Sequence, residues 1–151
     1  MWVYSHNADY HDWSSLEDKR RMMLSSLFFS FLLSVSPTPL EDAVWQVETG
    51  RCESSCPRGD GGLARGPLQI HECAWLDVKR DGEKYSDCEG LDYSLEVFRR
   101  YMDRYATVER LGRTVTDEDR ARIWNGGPNG FKKKSSTERY WEKIRKEIQK
   151  Q

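Results

Sequence analysis

Thr38-Pro39-Leu40-Glu41-Asp42-Ala43-Val44-Trp45-Gln46-Val47-Glu48-Thr49-Gly50 reads as one complete helix that carries an acid to its exit. Thr38 and Glu41 have the spacing of a capping box, and Pro39 falls at the first helical position, where its missing N–H has no partner to lose. Leu40, Val44, Trp45 and Val47 form the apolar stripe, and Gly50 is a good C-terminal stop. Glu48 lies in the last turn of this otherwise apolar segment. A carboxyl there feels the negative end of the helix dipole, and burial disfavours its charge further. Both effects raise its pKa, as a general acid for glycoside cleavage near neutral pH requires. On position alone, the reading of Glu48 as one exposed surface acid among 25 acidic residues prevails.

Twelve residues further on, Asp60 opens the Gly61-Gly62 turn. Aspartate before two glycines is ordinary turn chemistry, but the same placement suits a solvent-reachable nucleophile beside backbone that a sugar can approach. The passage Gly59 to Gly66 reads as turns or a short hairpin. Beyond it, Leu95, Phe98, Met102 and Tyr105 repeat with helical period over Ser94 to Tyr105. Thr116, followed by Asp117, Glu118 and Asp119, caps a short helix that ends at Gly126-Gly127-Pro128-Asn129-Gly130. A last helix is expected from about Thr137 to Ile148, burying Tyr140, Trp141, Ile144 and Ile148. The fold class expected is α+β, mainly helical, with a small glycine-rich β/turn element around residues 58–70.

Upstream, Lys19-Arg20-Arg21 precedes an apolar run from Met22 to Val35, then small residues and Pro37. The order basic, apolar, small is that of a signal peptide, and the run is short for a membrane span. Residues 1–36 are therefore assigned to a leader and 37–151 to the domain, with a buried helix as the rival reading of the apolar run. Cys52, Cys56, Cys73 and Cys88 all lie downstream. An even count in an exported chain suggests two disulfides, of three possible pairings. Cys52–Cys56 with Cys73–Cys88 is preferred because both close short loops. A zinc site of these thiols with His71 is the rival, but the spacing is not that of a zinc finger or ribbon.

Charged residues make up 32% of the 151 and hydrophobic ones 37%, a soluble globular balance. The net charge of −1 hides an asymmetry: Pro37 to Phe98 carries 6 Lys/Arg against 13 Asp/Glu, and Arg99 to Gln151 carries 15 against 8. Opposed halves can set carboxylates in one wall of a cleft and draw anionic polymers to another. The basic residues follow no nucleic-acid motif, so no nucleic-acid partner is expected.

The ordered words decide between these readings. Val47-Glu48-Thr49-Gly50-Arg51-Cys52 is followed by Gly66-Pro67-Leu68-Gln69-Ile70 and Ala74-Trp75-Leu76-Asp77. Then come Tyr101-Met102-Asp103-Arg104-Tyr105, Ala121-Arg122-Ile123-Trp124-Asn125-Gly126-Gly127-Pro128-Asn129-Gly130 and Tyr140-Trp141. From about Ala43 to Lys143 this series resembles the invertebrate-type lysozymes, the destabilase family. The resemblance implies a lysozyme-like fold and hydrolysis of β-1,4 bonds in peptidoglycan, or in a chitin-type glycan, without cofactor or metal. It matches Glu48 to the family's proton donor and Asp60 to its nucleophilic aspartate. Gln69, Ile70, His71, Trp124, Asn125 and Gly126 fall in stretches that would line the sugar cleft. The chain departs from the family in keeping only four cysteines, in an Asp60–Gly66 interval one residue shorter, and in Trp124 where histidine is frequent. A secreted monomer without stable membrane insertion is expected. The alternatives are a transglycosylase or inverting enzyme using Glu48 alone, and a lysozyme-like wall-binding protein without turnover.

Overall fold

The first helix forms where its capping signals stand. In the computed structural model, which describes residues 36–151, helix α1 spans Pro39–Thr49. The leader assigned to residues 1–36 lies, apart from Ser36, outside the described residues. Thr38 accepts a hydrogen bond from the Glu41 amide at 3.3 Å, and the Glu41 carboxylate accepts one from the Thr38 amide at 2.8 Å. Gly50 closes the helix at φ 66°, a left-handed conformation that glycine adopts without a Cβ clash.

Two short strands follow, β1 (Ala64–Arg65) and β2 (Ile70–His71), paired antiparallel with Ala64 opposite His71 and Arg65 opposite Ile70. A 3₁₀ turn at Asp60–Gly62 precedes them, so the expected β/turn element is present. Helix α2 (Glu72–Leu76) leaves β2 directly, and a 3₁₀ turn at Tyr85–Glu89 leads into α3 (Leu91–Tyr105). Then come α4 (Val108–Leu111), α5 (Asp117–Gly126), a 3₁₀ turn at Gly130–Lys132 and α6 (Lys134–Ile148). Helices α3 and α6 each begin three residues before the expected starts; the first turn of α6, Lys134-Ser135-Ser136, carries no apolar signal, whereas that of α3 sets Leu91 and Tyr93 against the core. Helices α2 and α4 are too short to show a period at all.

The fold is α+β and mainly helical, as expected. Its core joins Leu40, Ala43, Val44 and Trp45 of α1 to Leu95, Val97, Phe98, Tyr101 and Met102 of α3, with Ile123 of α5 and Ile144 of α6. Leu68 and Ile70 of the hairpin close the same cluster. Charged side chains bind the elements at the edges of this core. Arg99 of α3 holds Glu41 of α1 in two hydrogen bonds of 2.7 and 2.9 Å. Arg122 of α5, 2% exposed, donates to Glu118, to the Lys134 carbonyl, to Thr137 and to Glu138.

Only one of the two expected disulfides forms. Cys52 and Cys56 are bridged, whereas Cys73 and Cys88 are free. The reason is their placement. Cys73 lies in the first turn of α2 and is exposed, while Cys88 is wholly buried in the core. Burial pushes the Cys88 thiol up to about 12, so it stays protonated and unreactive. Short separation in sequence brought neither thiol towards the other.

Candidate active site

The end of α1 is pinned to the hairpin by its own side chains. Thr49 donates from its hydroxyl to the Pro67 carbonyl at 2.8 Å, and Trp45 donates from Nε1 to the Cys52 carbonyl, also at 2.8 Å. Glu48, between them in sequence, is thereby set on the wall of a cleft of about 440 Å³. Asp60, Gln69, Ile70, His71, Trp124, Asn125 and Gly127 line the same cleft, together with Cys73 and Tyr101.

Glu48 is the half-buried acid of the cleft. Its pKa is raised to about 6, chiefly because burial penalises the charged carboxylate, and the negative charge of Asp60 adds to the rise. The Tyr140 hydroxyl opposes this by donating to Glu48 Oε1 at 2.7 Å, and the charges of Lys143 and His71 act in the same opposing sense. Burial and the Glu48 charge in turn hold the Tyr140 phenol well above its ordinary pKa, so it remains a donor. A protonated Glu48 can accept from Tyr140 on one oxygen and offer its proton from the other.

Asp60 occupies the opposite kind of environment, with its side chain 70% exposed. Its backbone has φ 48°, the left-handed region that a non-glycine residue seldom occupies. His71 Nε2 lies 2.7 Å from Asp60 Oδ2. The loop that carries Asp60 is braced by Gln69, also left-handed at φ 50°. Gln69 Oε1 accepts from the Gly59 amide at 2.7 Å, and its Nε2 donates to the carbonyls of Pro57 and Gly66, each at 2.9 Å. The Tyr85 hydroxyl donates to the Ile70 carbonyl at 2.5 Å and sits 3.0 Å from that of Leu63, locking the far side of the hairpin.

The sequence-predicted residues thus converge, with differences in what they do. Gln69 spends its amide on the loop rather than on the open cleft, and Ile70 is 1% exposed. Trp124 stands edge-on to Phe98 and Tyr101, with ring centroids 4.9 and 5.8 Å apart, and shows the cleft part of its face. Gly126 is displaced from its expected place: its carbonyl accepts from Lys133 Nζ at 2.9 Å, and the neighbouring Gly127 forms the wall instead. Tyr140 was expected only as a core residue of the last helix. Its contact with Glu48 spans 92 positions of chain, and no local pattern marks such a pair.

One half-buried carboxyl raised to about 6 and one exposed carboxyl on a single open cleft make the two-carboxyl type of site that glycoside hydrolases use. The comparisons with known proteins agree with this class. No protein-family model matches the chain. The chain is 35% identical over 104 residues to a lysozyme of Meretrix lusoria, covering 68% of itself and 83% of that protein. It is 30% identical over 125 residues to a lysozyme of Magallana gigas, with 82% and 88% covered. Among solved structures it is similar to Meretrix lusoria lysozyme in complex with Aeromonas hydrophila PliI, at TM-score 0.60 and 33% identity, covering 72% of this chain and 88% of that one. Tapes japonica lysozyme matches at TM-score 0.60 and 29% identity, with 71% and 86% covered. The chain belongs to the invertebrate-type lysozyme family, and its fold is lysozyme-like.

Proposed function

We propose that this chain is a secreted, retaining muramidase that cleaves the β-1,4 bonds of peptidoglycan with Glu48 as general acid and Asp60 as nucleophile. One observation carries the reading. Glu48 is half-buried with its pKa raised to about 6, while Asp60 stands exposed on the same cleft. Glu48 gives its proton to the glycosidic oxygen as the bond from that oxygen to C1 breaks. An Asp60 oxygen bonds to C1, forming a glycosyl ester. Water then attacks C1, passes its proton to the Glu48 carboxylate, and releases Asp60 as a carboxylate.

The relatives named as lysozymes in bivalves support peptidoglycan as the substrate class. Trp124 supplies an apolar face for a sugar ring, and Asn125, exposed beside it, supplies an amide for acetamido groups. Residues 1–36 act as the export leader in this reading. The test is turbidity loss of a bacterial cell-wall suspension with wild type beside Glu48→Gln. Clearing by the wild type and a loss of roughly 10²–10⁴-fold in the variant are expected. Clearing by Glu48→Gln within a few fold of wild type refutes the assignment. NMR of the first-formed anomer separates retention, expected with Asp60 as nucleophile, from the inversion expected of Glu48 with a water.

A further inference from the structure

Asp60 presents a mechanical problem for a nucleophile. Its side chain is 70% exposed and its backbone lies in a left-handed turn between Gly59 and Gly61, where packing cannot hold a rotamer. A reacting carboxylate must nevertheless be held to about 0.5 Å of its productive position. Among the described residues, the hydrogen bond to the Asp60 carboxylate comes from His71.

His71 is fixed where Asp60 is not. It belongs to β2, is paired with Ala64 of β1, and follows Ile70, which is buried in the core and locked through its carbonyl to Tyr85. Gln69, left-handed at φ 50°, ends the turn that leads into β2, and His71 stands two residues on in the strand itself. Gln69 Oε1 accepts from the Gly59 amide and His71 Nε2 lies at hydrogen-bond distance from Asp60 Oδ2, so that two successive loop residues are gripped from the end of the hairpin turn and the strand that follows it. A hydrogen-bonded contact this exposed adds little to folding.

We infer that His71 is a positioning residue for the nucleophile: its Nε2–H donates to Asp60 Oδ2 and aims Oδ1 at the sugar C1. The inference rests on the reading of Asp60 as nucleophile. An ionised carboxylate only accepts, so Nε2 carries the hydrogen in this contact. Bonding at one oxygen fixes the carboxylate plane and leaves the other oxygen its lone pair for attack.

The test measures initial rates on solubilised peptidoglycan for the full chain as wild type, His71→Ala, His71→Gln, Asp60→Asn and the Asp60→Asn/His71→Ala double variant. His71→Ala is expected to lower kcat by about tenfold or more with KM within about twofold, since orientation and not ground-state binding is lost. His71→Gln, whose amide N–H replaces Nε2–H, is expected to restore most of that loss. In the Asp60→Asn background, His71→Ala is expected to change nothing further, because the two side chains act as one unit. Unchanged kcat in His71→Ala, or a raised KM with kcat intact in both His71 variants, overturns the inference, while loss of turnover in Asp60→Asn keeps the nucleophile reading. Wild-type turnover in Asp60→Asn overturns both.

Discussion

Replacing Glu48 by glutamine separates two effects that burial couples at this residue. The carboxyl is raised from its ordinary 4.5 to about 6, so the native state holds the proton more tightly than the unfolded chain. Stability is then unaffected below about 4.5 and falls as pH rises through 6, by at most about 2 kcal/mol for a shift of this size. Glu48→Gln therefore abolishes nearly all turnover and yet melts higher than wild type at pH 8. The difference disappears at pH 4, and thermal melts at the two pH values check it. Tyr140→Phe acts in the opposite sense on the same group. Its hydroxyl lowers the Glu48 pKa by favouring the carboxylate, so its loss moves the alkaline limb of the pH–rate profile upward. An unmoved limb would mean that the pKa seen in turnover is not that of Glu48.

Helix α1 and the hairpin are the elements that build the site, and each depends on a close fit. Gly66 lies at φ 72°, and a Cβ there would sit 1.7 Å from the Cys88 carbonyl oxygen, which is backbone and cannot swing aside. Gly66→Ala is expected to cost several kcal/mol, in the range of severe overpacking and strain, and to lose activity through displacement of Gln69 and His71. A chemical melt with a midpoint close to wild type would show that the turn relaxes. The Cys52–Cys56 bridge closes a short loop just after α1, for which the chain-entropy relation gives about 2 kcal/mol. Alkylation of the folded protein should label Cys73, exposed on the cleft, and leave Cys88 untouched until denaturation. Capping signals made α1 and α5 readable in advance, whereas α2, of five residues, has no side-chain cap, and α4, of four residues between Thr107 and Gly112, is too short for its caps to be joined by an apolar period.

At the scale of the whole molecule, buried charge sets where the protein is stable. Glu83 is held down to about 2, first by its hydrogen bonds from Arg100. Asp119 is also held at about 2, where hydrogen bonds from Arg113 and Thr116 outweigh a burial that acts the other way. Both contribute stability that is present above the ordinary carboxylate range and lost as pH falls towards 2. Together with the Glu48 penalty, which builds from about 4.5 and is complete above 6, they place the maximum of stability near pH 4.5. A melting-temperature profile over pH 2–9 checks this, and a maximum above pH 7 would contradict it. Arg122 ties α5 to α6 through Thr137 and Glu138 from a position that is 2% exposed. Arg122→Ala leaves those partners unmatched and is expected to cost about 3–5 kcal/mol. Because α6 carries Tyr140, loosening it also removes the partner of Glu48.

Local chemistry determined much of this protein before any contact was known. The capping box at Thr38, the stop at Gly50, the turn at Asp60 and the amphipathic period of α3 are legible because each is decided by neighbours within a turn or two of chain. The order of the words from Val47 to Trp141 carried the family, and with it the roles proposed for Glu48 and Asp60. The tertiary structure decided the rest. Whether Cys73 reaches Cys88, whether the wall is Gly126 or Gly127, and which hydroxyl meets Glu48 depend on how separate elements pack. Packing is set by the burial of side chains that lie tens of residues apart, as Tyr140 and Glu48 do. Even the acidity of Glu48 belongs there: the sequence places a carboxyl near a helix end, but the core closing around it moves its pKa to about 6.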